Sequence, residues 1–148
     1  MPNDDVAAFL AYAESFEKSI ATDDWSHVDR QTHDQIVWNV AGSPPIGGVY
    51  AGREATMGAI RASVAAFDRR FDAREPRILV GPTPIPGGIH MTWAVTYRRE
   101  GLPDFVLKGE EWDLFRDGKL ILHREVIHNE AELFAYLAKH AAKLRPAA

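Results

Sequence analysis

The sequence predicts an α+β fold in which one curved antiparallel sheet wraps around amino-terminal helices. Three observations carry this expectation. Apolar residues recur at three- and four-residue steps through the first part of the chain, as on one face of a helix. From Ile89 to His128 they alternate instead, as along half-buried strands. Short turn sequences, Gly101-Leu102-Pro103-Asp104 and Asp117-Gly118, join those later strands directly, which makes neighbours antiparallel.

Taken in order, residues 4–21 read as a helix whose apolar stripe is Val6, Phe9, Leu10, Ala13, Phe16 and Ile20, with Asn3 or Asp4 as its cap. Thr22-Asp23-Asp24-Trp25 breaks it and recaps a short second helix, about 24–32, that turns Trp25 and Val28 inward. His33 to Ala41 is a strand with Val37 and Asn39 on one face and Ile36, Trp38 and Val40 on the other. Periodicity alone does not say which face is inward. The strand runs into Gly42-Ser43-Pro44-Pro45-Ile46-Gly47-Gly48, which no regular element tolerates. After Gly52 a third helix extends to about Phe71 and buries Met57, Ile60, Val64, Phe67 and Phe71. Gly81 to Gly88 is an irregular joint expected to separate two strands. It lacks the Lys-Ser/Thr and following helix of a phosphate-cradling loop.

Ile89 to Arg99 places Ile89, Met91, Trp93, Val95 and Tyr97 on a core or pocket wall, and His90, Thr92, Ala94, Thr96 and Arg98 on the opposite sheet surface. In Phe105 to Phe115, a bulge at Gly109 puts Glu110 and Trp112 on the apolar side with Phe105, Leu107 and Leu114; without the bulge it is Glu111 that faces that way. In the last strand Ile121, His123, Glu125 and Ile127 share a face, opposite Leu122, Arg124 and Val126. Asn129 and Glu132 form a capping-box pattern before a final helix, about 130–145.

The 148 residues read as one domain, 1–148, with its core over about 5–128. An apolar fraction of 46% and a charged fraction of 26% are those of an ordinary globular chain. A net charge of −4 argues against nucleic acid or an anionic membrane as partner. The absence of cysteine excludes disulfides, thiol nucleophiles and thiolate metal sites. No apolar run approaches the roughly 20 residues of a membrane span, and the amino terminus lacks a secretory pattern, so a cytoplasmic location is expected.

The most specific chemical hint is the His123–Glu125 pair, two residues apart on one strand face between isoleucines. An imidazole with an ordinary pKa near 6.5 suits proton transfer at neutral pH. No metal-ligand spacing motif accompanies it, and neither a metal nor another cofactor is expected. Thr92, Ala94, Thr96, Arg98, Leu122, Arg124 and Val126 are together too apolar for a fully solvated sheet surface, which points to a homodimer through the sheet.

The order of elements, the Asp34-to-Gly42 strand, Tyr50-x-Gly52-Arg53-Glu54 opening a helix, and Phe115-Arg116-Asp117-Gly118-Lys119-Leu120 together resemble the nuclear transport factor 2-like superfamily. Within it the chain looks most like the SnoaL-like polyketide cyclase and ketosteroid isomerase branch. The resemblance implies a cone-shaped α+β barrel around an apolar pocket, often in a dimer packed through the sheet. The isomerase pattern places its base on Asn39, an amide that cannot take a proton, its oxyanion-hole tyrosine on or near Phe16, and its second acid near Glu110 or Glu111. It also implies that Val37 and Asn39 face the pocket. Of the Asp/Arg/Asp, Tyr and Asn set used by epoxide hydrolases of this fold, only the Asn has an obvious counterpart. The expectation is therefore a pocket for a small cyclic or aromatic molecule, with proton-transfer chemistry of isomerase, cyclase or lyase type on a carbonyl compound. His123, Glu125, Glu110 and Asn39 would carry the chemistry. Phe16, Val37, Met91, Trp93, Tyr97, Trp112 and Ile127 would line the pocket. The alternative is a binding or accessory domain of the same fold without catalysis.

Overall fold

The computed structural model describes residues 4–147; Asn3, one of the two candidate caps, lies outside them. Four helices, α1 (Asp4–Thr22), α2 (Ser26–Arg30), α3 (Arg53–Ala66) and α4 (Glu130–His140), accompany six strands. The strands are β1 (Thr32–Ala41), β2 (Gly48–Ala51), β3 (Ala73–Ile85), β4 (Gly88–Arg98), β5 (Phe105–Arg116) and β6 (Lys119–Ile127). They form one open, curved sheet in the order β2-β1-β6-β5-β4-β3. The α+β architecture is as expected, with one correction to the sheet. β1 pairs with β6 in parallel, whereas every other pair is antiparallel. Only a short turn dictates antiparallel pairing, and β1 reaches β6 through a helix and four further strands.

The inner face of the sheet packs on α1 and α3. Ile36, Trp38 and Val40 from β1, the alternate residues Ile89 to Tyr97 of β4, and Phe105 and Leu107 of β5 are buried there with Phe9, Met57, Ile60 and Val64 of the helices. α3 ends at Ala66, short of the expected Phe71, and passes into a 3₁₀ turn over Asp68–Arg70. Phe67 and Phe71 nevertheless stay in the core, with ring centroids 4.6 and 5.0 Å from Tyr97. α4 closes one end of the cone by setting Tyr136 against Phe71 and Phe105. The expected capping box at Asn129 does not form. Its side chain instead donates to Val106 O at 2.8 Å and accepts from Lys108 N at 2.9 Å, tying the helix start to β5.

Two irregular segments also differ from expectation. The Gly81-to-Gly88 stretch separates β3 from β4 only at Pro86-Gly87: β3 runs through Gly81-Pro82, with register shifts between Ile78 and Val80 and between Val80 and Thr83. A proline is tolerated there because β3 is an edge strand with one free side. Gly109 is not a bulge, because β4 and β5 stay in register from Tyr97–Phe105 to Gly88–Leu114. It lies opposite Trp93, and a Cβ placed on it would come 2.6 Å from Trp93 Cζ2 and 2.7 Å from Val126 O. Glycine is required here because an indole occupies the space. Among the described residues no helix is long and apolar enough to cross a membrane.

Gly109→Ala should therefore cost about 1–3 kcal/mol of stability, the range for overpacking a well-filled core. Urea unfolding at constant pH measures it. A midpoint equal to that of the wild type would mean that the indole yields freely and that its position is not fixed by the glycine.

Candidate functional site

Between the inner sheet face, α1 and α3 lies a cavity of about 400 Å³. Of the residues singled out from sequence, Phe16, Met91, Trp93, Tyr97, His123, Glu125 and Ile127 line it. Val37, Asn39, Glu110 and Trp112 do not. In β1 the pocket side is Trp38 and Val40, and Val37 is 37% exposed on the outer face, where it pairs with Leu122. Asn39 lies beside Arg124 on that same outer side. Two aromatic or branched residues bury more apolar area than Val37 and Asn39 would, and this decides which face turns inward. In β5 the unbulged register turns Glu111 and Asp113 inward and Glu110 and Trp112 outward. Glu110 there accepts from His90 Nε2 at 2.9 Å and lies 3.3 Å from His128 Nε2.

The hairpin register sets Asp113 opposite His123 and Glu111 opposite Glu125. His123 is 2% exposed and Asp113 fully buried. His123 Nδ1 lies 2.6 Å from Asp113 Oδ1 and 3.3 Å from Glu111 Oε2, while Nε2 faces Glu125 Oε2 at 3.5 Å. The imidazole stacks on Trp38 with ring centroids 3.8 Å apart and planes at 19°. From α1, Tyr12 enters the same wall one turn before Phe16. The Tyr12 hydroxyl, Asp113 Oδ2, His123 Nε2 and Trp93 Nε1 are buried without a hydrogen-bond partner among the described residues.

The electrostatics follow from burial and crowding. Burial, reinforced by the charge of Asp113, pushes the Glu111 carboxyl well above the usual carboxylate range. For His123 burial opposes the charged ring. The charge and hydrogen bond of Asp113, with Glu125 and Glu111, outweigh it and raise the imidazole well above its ordinary value. Burial and the same carboxylates keep the Tyr12 phenol protonated. The site thus sets a buried imidazole against the Asp113 carboxyl, with the Glu111 carboxyl and the Tyr12 phenol beside it. Glu111, Asp113 and His123 also bring ligand atoms within 4.8 Å of one another, a spacing a cation could use only after protons leave.

Sequence reasoning reached His123 and Glu125 but missed Asp113, Tyr12 and Trp38. Asp113 was legible in principle, since it shares a strand face with Glu111 once Gly109 is read as unbulged. Tyr12 reads as an ordinary core aromatic within the α1 stripe, and no local signal marks its hydroxyl.

No protein-family model and no curated protein matches the sequence. Solved structures do match in fold. Bal32a, from a soil-derived mobile gene cassette, aligns with a TM-score of 0.67 at 14% identity, over 90% of this chain and 98% of that one. TerC, co-crystallised with polyporic acid, aligns with a TM-score of 0.68 at 14% identity, over 92% and 99%. An NTF2-like protein of unknown function from Exiguobacterium sp. 255-15 aligns at 0.63 with 17% identity, over 82% and 98%. The chain has the nuclear transport factor 2-like fold.

The raised Glu111 pKa makes a signed prediction. The native protein keeps this proton where the unfolded chain, with an ordinary carboxyl near 4.5, releases it, so raising the pH favours unfolding. Glu111→Gln cannot release a proton, and its stability relative to wild type should rise between pH 5 and pH 8. Parallel urea-unfolding stabilities for the two proteins across that interval would contradict the buried, protonated state.

Proposed function

We propose that the cavity is an acid–base site for a small cyclic or aromatic carbonyl compound, with proton transfer of isomerase, cyclase or lyase type. The observation that carries this reading is the 2.6 Å contact that fixes a buried His123 on Asp113 in the wall of a largely apolar cavity. A structural ion pair would not need to border empty space, nor leave the Tyr12 hydroxyl without a hydrogen-bond partner. The co-crystallisation of TerC with polyporic acid is in keeping with a cavity of this fold that holds an organic molecule.

In this reading the substrate oxygen accepts hydrogen bonds from the Tyr12 hydroxyl and the Glu111 carboxyl, which stabilise the negative charge that develops when a neighbouring carbon loses its proton. The Glu125 carboxylate takes that proton from carbon. His123, protonated and held by Asp113, supplies a proton to the product and recovers it from Glu125 across the 3.5 Å gap. Trp38, Trp93 and Tyr97 form walls that exclude water. Asp113 orients His123, and Glu110 and Asn39, on the outer face, have no role in the chemistry.

His123→Gln should lower turnover by about 100-fold or more, while affinity for an apolar ligand stays within a few fold. Turnover by the wild type should fall on the alkaline side as His123 loses its proton. Equal losses of binding and turnover would favour a binding role. Inactivity of the wild type on a panel of cyclic and aromatic carbonyl compounds would do the same.

We also propose a homodimer through the outer sheet face, where exposed Val37 adjoins half-buried Leu122 on the face that also carries half-buried Val126. Light scattering at micromolar concentration should give twice the chain mass, and the mass of one chain would overturn it.

A further inference from the structure

The cavity has a second polar end that the acid–base reading does not use. Tyr97 of β4 pairs in register with Arg74 of β3, and its hydroxyl donates to Asp68 Oδ1 at 2.7 Å. Arg74 Nε lies 3.1 Å from that same oxygen, and Arg74 Nη1 donates to Glu17 of α1. The guanidinium stands over the Tyr97 ring at 5.8 Å. Glu17, Asp68, Arg74 and Tyr97 all line the cavity that His123 lines.

Register places this cluster at a distance from His123. Along β4 the Glu111–Glu125 row meets Met91, the next inward row is Trp93, and Arg74 meets Tyr97. Met91 and Tyr97 are six residues apart, roughly 20 Å of strand. On α1 the same two ends are marked by Tyr12 and Glu17, five residues or about 7–8 Å of helix apart. Trp93 lies between them on the wall, with its buried Nε1 unpartnered. Two polar poles and a buried donor between them, joined by apolar walls, suit an elongated, largely apolar molecule with a polar group at each end.

The charge balance says what the far group is. The Arg74 cation is already met by two carboxylates, Asp68 and Glu17, so the pole offers no net positive charge to an anion. An incoming carboxylate or phosphate would face both acids. A neutral hydroxyl can accept from the guanidinium and donate to a carboxylate at once.

From this geometry we infer that Arg74, Asp68, Glu17 and Tyr97 form a second binding pole, which selects a neutral hydroxyl or oxo group at the end of the substrate remote from His123. The inference deepens the acid–base reading and rests on the cavity being the substrate's site, but it concerns binding alone.

Quenching of tryptophan fluorescence by three probes tests it: 2,6-dihydroxynaphthalene, 2-naphthol and 6-hydroxy-2-naphthoate. The diol should bind the wild type about tenfold more tightly than the mono-alcohol, the worth of one or two hydrogen bonds, and more tightly than the carboxylate. Arg74→Met should erase the diol's advantage while leaving 2-naphthol within about threefold. Should that variant fail to fold, Glu17→Gln, at a half-buried position, gives an independent readout. It removes one negative charge, and the carboxylate should gain about tenfold relative to the diol, a change in preference that a purely structural role would not cause. Equal binding of diol and mono-alcohol by the wild type, a preference for the carboxylate, or an unchanged preference in Glu17→Gln would each overturn the inference. So would failure of all three probes to bind. A diol preference without turnover of any carbonyl compound would leave the second pole standing and remove only the acid–base reading.

Discussion

The contact between His123 and Asp113 is the constraint to which the rest of the site answers. A carboxylate with no exposed surface in the middle of a sheet is tolerable only if a cation or strong donor is held against it, because its desolvation is otherwise uncompensated. That requirement fixes the β5–β6 register, since a slip of one residue would send His123 to the outer face and leave Asp113 alone. It also explains why Trp38 is a flat aromatic: the ring covers the imidazole at 3.8 Å and keeps water from the pair. Burial in the same wall, with the charge of Asp113 beside it, raises the proton affinity of Glu111 despite the opposing effect of His123. The hydrogen-bonding character of the cavity thus follows from that pairing together with burial.

The same sheet treats two similar triads of groups differently. On the outer face Glu110 meets His90 and His128 in partial contact with solvent, and its carboxyl is held below the usual range by hydrogen bonds from both rings. One residue further on, Glu111 meets Asp113 and His123 inside and is held above it. Adjacent glutamates on one strand acquire opposite proton affinities because the pleat sends them to opposite environments. Dielectric surroundings, rather than the number of histidines nearby, set the direction.

Most of the fold was legible because its signals are local. The α1 stripe, the alternation in β4 and the turns at residues 101–104 and 117–118 each depend on neighbours in the chain. The short strand β2 was not legible: Gly48–Ala51 is a strand only because β1 offers it an edge. The parallel β1–β6 pairing escaped for the same reason. In the site, His123, Glu125 and the wall residues of β4 were found from periodicity. The face of β1 and the register at Gly109 were misassigned where the resemblance to an isomerase, or the usual meaning of a strand glycine, stood in for packing. Trp93 determined the second of these, and no pattern in the sequence links it to Gly109. The Arg74 cluster draws on α1, the turn after α3, β3 and β4, so nothing along the chain announces it.

The parallel pairing of β1 with β6 bears on how the protein is made. Trp38 meets His123 across that ladder, so the first strand to be synthesised finds its central partner only when the last one has appeared. Until then its inward residues Ile36, Trp38 and Val40 have only the short β2 beside them and a helix to shelter under. Pairings so distant along the chain are slow to close, because loop entropy is lost before the contact is made. A nascent chain stalled before β6 would present an apolar strand with an open edge, the surface that chaperones bind and that aggregation uses.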